Sequence, residues 1–130
     1  MTNSHLRLLD ANLNRLREGI RVVEDIYRYI FNDKDISSRL KTLRHKSKIS
    51  LYKELLISRD IKNDVLKTSI KSEQTRTDIE HILIANFKRA QESSRVLEEF
   101  CKLIDTSTSE NFKSIRYELY DLEKSIIKKD

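Results

Sequence analysis

Arginine, glutamate and asparagine side chains recur in this sequence at one fixed spacing, in two separate places. Residues 11–25 and 85–99 both read Ala-Asn-x-x-Arg-x-x-Glu-x-x-Arg-Val-x-Glu, followed by a second acid. A guanidinium carries a fork of N–H donors that matches phosphate or carboxylate oxygens, and a carboxylate binds either cations or arginines. The repeated motif is therefore typical of an anion-binding site or of a ladder of ion pairs.

Helical geometry divides the motif into two rows. At about 100° per residue, the apolar stripe of residues 9–30 faces the core, and Asn12 and Arg15 lie on its flank. A partly enclosed amide and guanidinium need partners, either across an approximate twofold axis or from a ligand. Glu18 and Arg21 lie further out, where alternating charges are typical of a solvated salt-bridge row. The counterparts in the second copy are Asn86, Arg89, Glu92 and Arg95.

Further polar residues outside the repeat could also form a binding site. Asp60 and Asp64, four residues apart and near Arg59 and Arg76, could hold Mg²⁺ and phosphates or serve as ordinary caps and ion pairs. Gly19 is the chain's one glycine and lies within a helical pattern, at a cost of about 1 kcal/mol relative to alanine. Its size favours the close approach of a neighbouring helix, with a flat ligand ring as the alternative.

Several chemistries are excluded. The three histidines, His5, His45 and His81, have no zinc-ligand spacing, and no Glu-x-x-His pair of a di-iron bundle occurs. Glycine-rich phosphate loops are absent. Cys101 occupies a core position, which favours a buried, inert thiol.

The composition predicts long helices, because the 130-residue chain has no proline and one glycine. Residues 40–45 recur in type as residues 112–117, so the repeat extends over two helices. We predict one all-α domain, a four-long-helix bundle built from two pseudo-symmetric helix pairs with an irregular middle connection. The predicted halves are 4–57 and 72–127, the connection is 58–71, and residues 128–130 form a fraying tail. The predicted helices span residues 4–31, 36–57 and 72–104. A fourth helix begins at a capping box at 107–110 and ends at 127.

The charge and hydropathy limit the partners. The formal net charge of +5 permits anionic ligands, although the two signs are interleaved. No apolar run reaches membrane length and no signal-peptide core follows Met1, so we expect a cytoplasmic protein. The approximate symmetry leaves homo-oligomers open.

The motifs, read in order, resemble one known family. In the first half they are residues 8–12, the first copy of the arginine–glutamate motif and Leu43-Arg44-His45. In the middle they are Arg59, Asp60, Asp64, Glu73 and Arg76. In the second half they are the second copy of the motif and Ile115-Arg116-Tyr117. The family is the small, monofunctional hydroxymethylpyrimidine phosphate kinase of thiamin synthesis, which also occurs as an N-terminal domain fused to thiamin-phosphate synthase. The resemblance covers nearly the whole chain.

The resemblance implies transfer of the γ-phosphoryl group of ATP to a pyrimidine phosphate, with Mg²⁺. The acceptor is already an anion, so positioning and charge neutralisation suffice without a strong base. On this basis we expect Arg15, Arg89, Arg44 and Arg116 to contact phosphates. The expected substrate-binding residues are Asn12, Asn86, Glu18, Glu92, Arg59, Arg76 and His45. The expected Mg²⁺ ligands are Asp60, Glu24 and Glu98, with Glu18 and Glu92 as further candidates.

The chain departs from the family pattern at two places. Val65-Leu66 follows Asp64 where the family often has a glycine, which leaves the role of Asp64 open, and Ser93-Ser94 replaces the usual Ala-Leu. Two alternatives to the kinase remain: a non-catalytic helical domain that works with thiamin-phosphate synthase, and an RNA-binding bundle. The RNA alternative is the weakest, because aromatic residues do not accompany the basic ones. The sequence leaves open whether the chain holds one site, two sites or a shared one.

Overall fold

All regular structure in the part of the chain that the computed structural model describes, residues 1–127, is helical. The helices are α1 (Asn3–Asp25), α2 (Lys34–Lys46), α3 (Tyr52–Ser58), α4 (Lys71–Gln74), α5 (Ile79–Phe100) and α6 (Thr106–Ile127). A π-helical turn, Ile26–Ile30, extends α1, and a 3₁₀ turn, Cys101–Leu103, follows α5. The all-α prediction is confirmed. The predicted tail, residues 128–130, lies outside the described residues.

The two long repeat helices, α1 and α5, pack most extensively on each other and form the centre of the bundle. Helix α2 packs on α1 and helix α6 packs on α5, so each repeat copy begins a helix pair. A Cβ atom at Gly19 would lie 3.1 Å from the Asn86 backbone oxygen and 3.4 Å from the Ala90 Cβ. The interpretation that Gly19 admits a neighbouring helix is therefore confirmed. The apolar core includes Leu9, Leu16, Ile20, Phe87, Leu97, Phe112 and Leu122.

The predicted second helix, 36–57, is wrong as one continuous element, because α2 ends at Lys46 and α3 begins at Tyr52. Buried Ser47 donates its hydroxyl to the Leu43 backbone oxygen at 2.8 Å. In the repeat register, Ser47 and Ser50 stand where α6 carries Leu119 and Leu122, both buried. Two core anchors are thus missing, and a hydroxyl competes for a backbone carbonyl, so the helix stops. Helix α3 then packs on α1.

The predicted third helix begins later than expected, at Ile79 instead of about residue 72. The Asp78 carboxylate caps it by accepting a hydrogen bond from the His81 backbone N–H at 2.7 Å. Residues 61–78, between α3 and α5, are all exposed, and α4 is the one helical turn among them. The irregular connection is therefore longer than predicted. Among residues 1–127, no helix combines the length and apolarity that a membrane crossing requires.

The last helix begins earlier than the predicted capping box. It starts at Thr106, and the Asp105 carboxylate accepts a hydrogen bond from the Thr108 backbone N–H at 2.7 Å. Ser109, expected within the capping box, is buried and donates to the Glu98 backbone oxygen at 2.7 Å. The capping-box prediction is therefore wrong, and Asp105 takes that role.

Candidate functional site

Each half of the bundle contains a buried ion pair between the last glutamate of the repeat and an arginine of the following helix. Arg44 donates from Nε and Nη2 to the two carboxylate oxygens of Glu24, at 2.7 and 3.2 Å. Arg116 donates from Nε and Nη2 to Oε1 of Glu98, at 3.3 and 2.8 Å. Glu24 is 1% exposed, so removing its partner would leave a buried, uncompensated charge.

These pairs combine residues that we had expected to act on different ligands. Arg44 and Arg116 were expected at phosphates, and Glu24 and Glu98 at Mg²⁺. The hydrogen bond to Glu24 raises the pKa of Arg44. Hydrogen bonds to Tyr120 and then to Glu98 raise the pKa of Arg116. Within residues 1–127, Glu24 is bound by Arg44 alone, whereas Glu98 also accepts a hydrogen bond at Oε2 from Arg95 Nη1 at 3.1 Å. These contacts hold Arg44 and Arg116 in place.

A cleft of about 550 Å³ lies beside Arg44, between α1, the end of α2 and α3. We call it the basic cleft, because its charged lining consists of Arg17, Arg21, Arg44, Lys48 and Arg59 with Asp10 and Glu18. The less polar part of its lining comprises Leu13, Ile49, Tyr52 and Leu55. Two of the expected site residues besides Arg44, namely Glu18 and Arg59, lie in it.

A second ion pair forms one wall of the basic cleft. Arg59 donates from Nε and Nη2 to the two carboxylate oxygens of Asp10, at 2.8 and 2.9 Å. This hydrogen bonding raises the pKa of Arg59. Asp10 is 5% exposed and lies on α1, whereas Arg59 directly follows α3. The pair therefore ties the end of α3 to α1 and holds the cleft in shape.

A second cleft of about 440 Å³ lies on the other side of the Asp10–Arg59 pair. We call it the loop cleft, because residues 59–64 form part of its wall. Arg7 donates to the Asp60 backbone oxygen at 3.1 Å, which fastens this loop to α1. Hydrogen bonds from Asn63, its side chain first, lower the pKa of Asp60. The loop cleft brings together the expected residues Asn12, Arg15, Arg59 and Asp60, and also Asp64.

The polar groups of the loop cleft suit a small ring that carries a phosphate. Asn12 is buried and donates to the Leu8 backbone oxygen at 3.0 Å, which leaves its amide oxygen to accept from another donor. Arg7, Arg15 and Arg59 balance the charges of Asp10, Asp60 and Asp64. A cleft of this kind can bind a neutral polar ring through amides and an attached phosphate through guanidinium groups.

Other expected site residues lie outside the linings of these two clefts. Asn86 donates to the Ile82 backbone oxygen at 2.9 Å, as Asn12 does in the first copy. Arg76 is exposed and donates to the backbone oxygens of Ser72 and Thr75. The remaining expected residues that are exposed on the surface are His45, Arg89 and Glu92.

The expected metal ligands Asp60, Glu24 and Glu98 do not meet. Within residues 1–127, no group of three or more His, Cys, Asp or Glu side chains could hold a metal ion. Mg²⁺ commonly takes one or two carboxylates together with substrate phosphates and water. Asp60 and Asp64 of the loop cleft are the carboxylates that fit this pattern. Burial raises the pKa of the Cys101 thiol to about 11, so it has no nucleophilic character at neutral pH.

Sequence reasoning missed Asp10, Arg17, Lys48 and Tyr52. The one signal for Asp10 was its place in the motif at residues 8–12. Arg17 carries no such signal, because it falls between the repeated positions. Lys48 and Tyr52 could not be placed while residues 36–57 were read as one helix.

The sequence that forms these helices matches a known family. The model of the ThiD2 family matches residues 7–125, and the chain belongs to that family. It is similar to thiamine-phosphate synthases of three bacteria. Identity is 39% with that of Rhodopirellula baltica and 40% with that of Thermosynechococcus vestitus, in each case over 92% of this chain and 34% of the relative. Identity with the synthase of Prochlorococcus marinus strain SARG is 40%, over 94% of this chain and 36% of the relative.

The chain spans about a third of the length of the curated relatives that it matches. No solved structure matches it.

Proposed function

We propose that this chain is a helical domain of thiamin biosynthesis that works together with thiamine-phosphate synthase and binds hydroxymethylpyrimidine phosphate in the loop cleft. The observation that carries the proposal is that nearly the whole chain matches one third of each of several synthases. This supports the accessory role better than the kinase role, because these relatives are synthases by name. The loop cleft supports the ligand, through Arg15 for the phosphate and Asn12 for the aminopyrimidine edge.

The surface that would contact the synthase is the exposed connection after α3. Four aliphatic residues there and Ile57, near the end of α3, are more than 60% exposed, and Val65 and Leu66 reach 94% and 83%. The five are Ile57, Ile61, Val65, Leu66 and Ile70. Exposed aliphatic side chains at this density are typical of a contact surface. We call this segment the aliphatic loop.

Association with a purified thiamine-phosphate synthase tests this role. We expect the chain to bind the synthase in isothermal titration calorimetry and to change its rate of thiamine phosphate formation. Glutamate at both Val65 and Leu66 should weaken binding at least tenfold, because two charges would have to be desolvated at the contact. Leu103→Glu is the matched control, since Leu103 is 62% exposed on the opposite repeat half. Equal binding by all three proteins would refute the docking surface, and absence of binding and of any rate effect would refute the accessory role.

The kinase remains a second candidate, favoured by two clefts that meet at Arg59. A phosphate oxygen of the pyrimidine phosphate would attack the γ-phosphorus of ATP, and the bond to the ADP oxygen would break. Arg15 and Arg59 would hold the acceptor phosphate and orient it. Asp60 and Asp64 would hold Mg²⁺ with the substrate phosphates, and bound Mg²⁺ would neutralise phosphate charge.

Direct measurement of diphosphate formation tests the kinase candidate. The chain is incubated with ATP, Mg²⁺ and hydroxymethylpyrimidine phosphate, and ³¹P NMR follows the product. We expect Arg15→Ala to lower kcat/KM by roughly tenfold or more, because a charge-assisted hydrogen bond to phosphate is lost. Lys124→Gln removes one charge from α6, outside the linings of both clefts, and should leave the rate unchanged. No diphosphate from the intact chain would reject the kinase and leave the accessory role standing.

A further inference from the structure

We infer that the basic cleft is an oligophosphate site, which binds a di- or triphosphate group and presents Tyr52 beside it. If the chain is the kinase of the second candidate, this cleft would bind the phosphoryl donor. In that respect the inference rests on the proposed function. The anion preference follows from the cleft itself. Five cationic and two anionic side chains line it, and the balance stays positive when Glu24 and Asp25, the partners of Arg44 and Arg21, are also counted. Its volume of about 550 Å³ lies in the ordinary range of small-molecule sites.

Two arginines of the basic cleft are held in place before any ligand arrives. Arg44 is bound through Nε and Nη2 by Glu24, and Arg59 is bound through the same atoms by Asp10. In each case Nη1 makes no hydrogen bond within residues 1–127. A guanidinium fixed by a buried carboxylate loses little side-chain entropy when its free edge binds an anion. Both arginines line the cleft.

Two further cations of the basic cleft are not engaged by carboxylates. Arg17 and Lys48 make no ion pair within residues 1–127. They lie on α1 and on the segment after α2, so they approach the cleft from separate elements. An oligophosphate, with its charge spread over several groups, can contact both together with the two fixed arginines.

Tyr52 adds a flat surface to this arrangement. It is 72% exposed at the start of α3 and lines the same cleft. Its ring can stack on a nucleoside base while the phosphates contact the cations. In the repeat register, Gln91 replaces Arg17 and Ile84 replaces Asp10, so the second half lacks one of these cations and the carboxylate that fixes Arg59 in the first half.

Calorimetric titration of the full chain with inorganic triphosphate, without Mg²⁺, tests the inference. We expect saturable binding to one site that weakens as salt is raised. Combining Arg17→Gln with Lys48→Ala should weaken binding at least tenfold, because two charge-assisted contacts are lost. Lys113→Gln combined with Lys124→Gln, the charge-matched control on α6, removes two positive charges outside the cleft and should change binding less than twofold. Absence of saturable binding, or an equal effect of the two sets of changes, would overturn the inference.

Two sources of the phosphates are distinguished by Tyr52→Ala. Weaker binding of ATP with unchanged binding of inorganic triphosphate supports a nucleoside triphosphate, whereas unchanged binding of both supports a free oligophosphate. The inference and the proposed function fail separately. If the chain binds triphosphate but neither forms the diphosphate nor associates with the synthase, the proposed function is refuted and this inference is not. Diphosphate formation or synthase association without triphosphate binding would refute this inference alone.

Discussion

The two halves of the bundle place the same ion pair in different surroundings. In the first half, Arg44 is bound by Glu24 and lines the basic cleft. In the second half, Arg116 is bound by Glu98, and the rings of Tyr117 and Tyr120 lie 5.0 and 5.7 Å from its guanidinium carbon. Both arginine side chains are 14% exposed, but one lines a cleft and the other contacts two aromatic rings. The comparison indicates that the repeated residues build the scaffold, whereas departures from the repeat create the candidate site.

The departure with the greatest consequence is the break after α2. Because the chain turns at residues 47–51, α3 can pack on α1 and Arg59 can reach Asp10. Helix α6 continues without a break to Ile127. The first half therefore gains a cleft wall that the described part of the second half does not have.

The largest expected effect comes from breaking the shared ion pair. Arg44→Met should lower the free energy of unfolding by about 3–5 kcal/mol, because the buried Glu24 loses the arginine that binds both its oxygens. Arg116→Met should lower it by a smaller amount, because Arg95 still donates to Glu98 at 3.1 Å. Urea denaturation measures both values. A further substitution, Glu24→Gln in Arg44→Met or Glu98→Gln in Arg116→Met, should recover part of the loss. If either single variant is as stable as the unchanged chain, that ion pair does not support its half of the bundle.

A smaller effect is expected at the crossing of the two repeat helices. Gly19→Leu should lower the free energy of unfolding by about 1–3 kcal/mol, because a side chain there would press on Asn86 and Ala90. At the repeat counterpart, Ser93→Ala should change it by less than about 1 kcal/mol, since one hydroxyl hydrogen bond to the backbone is lost. Thermal unfolding compares the two. A larger loss at Ser93 would contradict this account of the crossing.

The smallest expected effect is the pH dependence of a helix cap. Asp33 and Asp105 occupy equivalent positions before α2 and α6 and both accept backbone N–H groups. The Thr108 backbone hydrogen bond lowers the pKa of Asp105, so the folded state is favoured at pH values above the unfolded pKa of about 4. That stabilisation is lost as the pH falls from there through the folded pKa. Asp105→Asn should reduce this loss of unfolding free energy at low pH, measured in urea titrations between pH 2.5 and 6. If the loss is unchanged, the cap is not its cause.

Much of the fold could be predicted because it depends on local patterns. The apolar stripes of α1, α5 and α6 and the scarcity of helix breakers predict long helices, and Gly19 predicts a close helix contact. The break at Ser47 was missed because a helix can either continue through a serine or end there. The lack of core contacts beyond it decides that the helix ends. In the candidate site, Asn12, Arg15, Arg59 and Asp60 were found through the motifs and fall into one cleft.

The sequence by itself determined the helical class, the internal repeat and the supply of arginine and carboxylate groups, because periodicity and spacing are local properties. The tertiary structure alone decided which of those groups neutralise one another and which remain free for a ligand. Glu24 lies 20 residues from Arg44, and Asp10 lies 49 residues from Arg59. Such pairings depend on where helices cross, and the crossing is fixed by packing over the whole core.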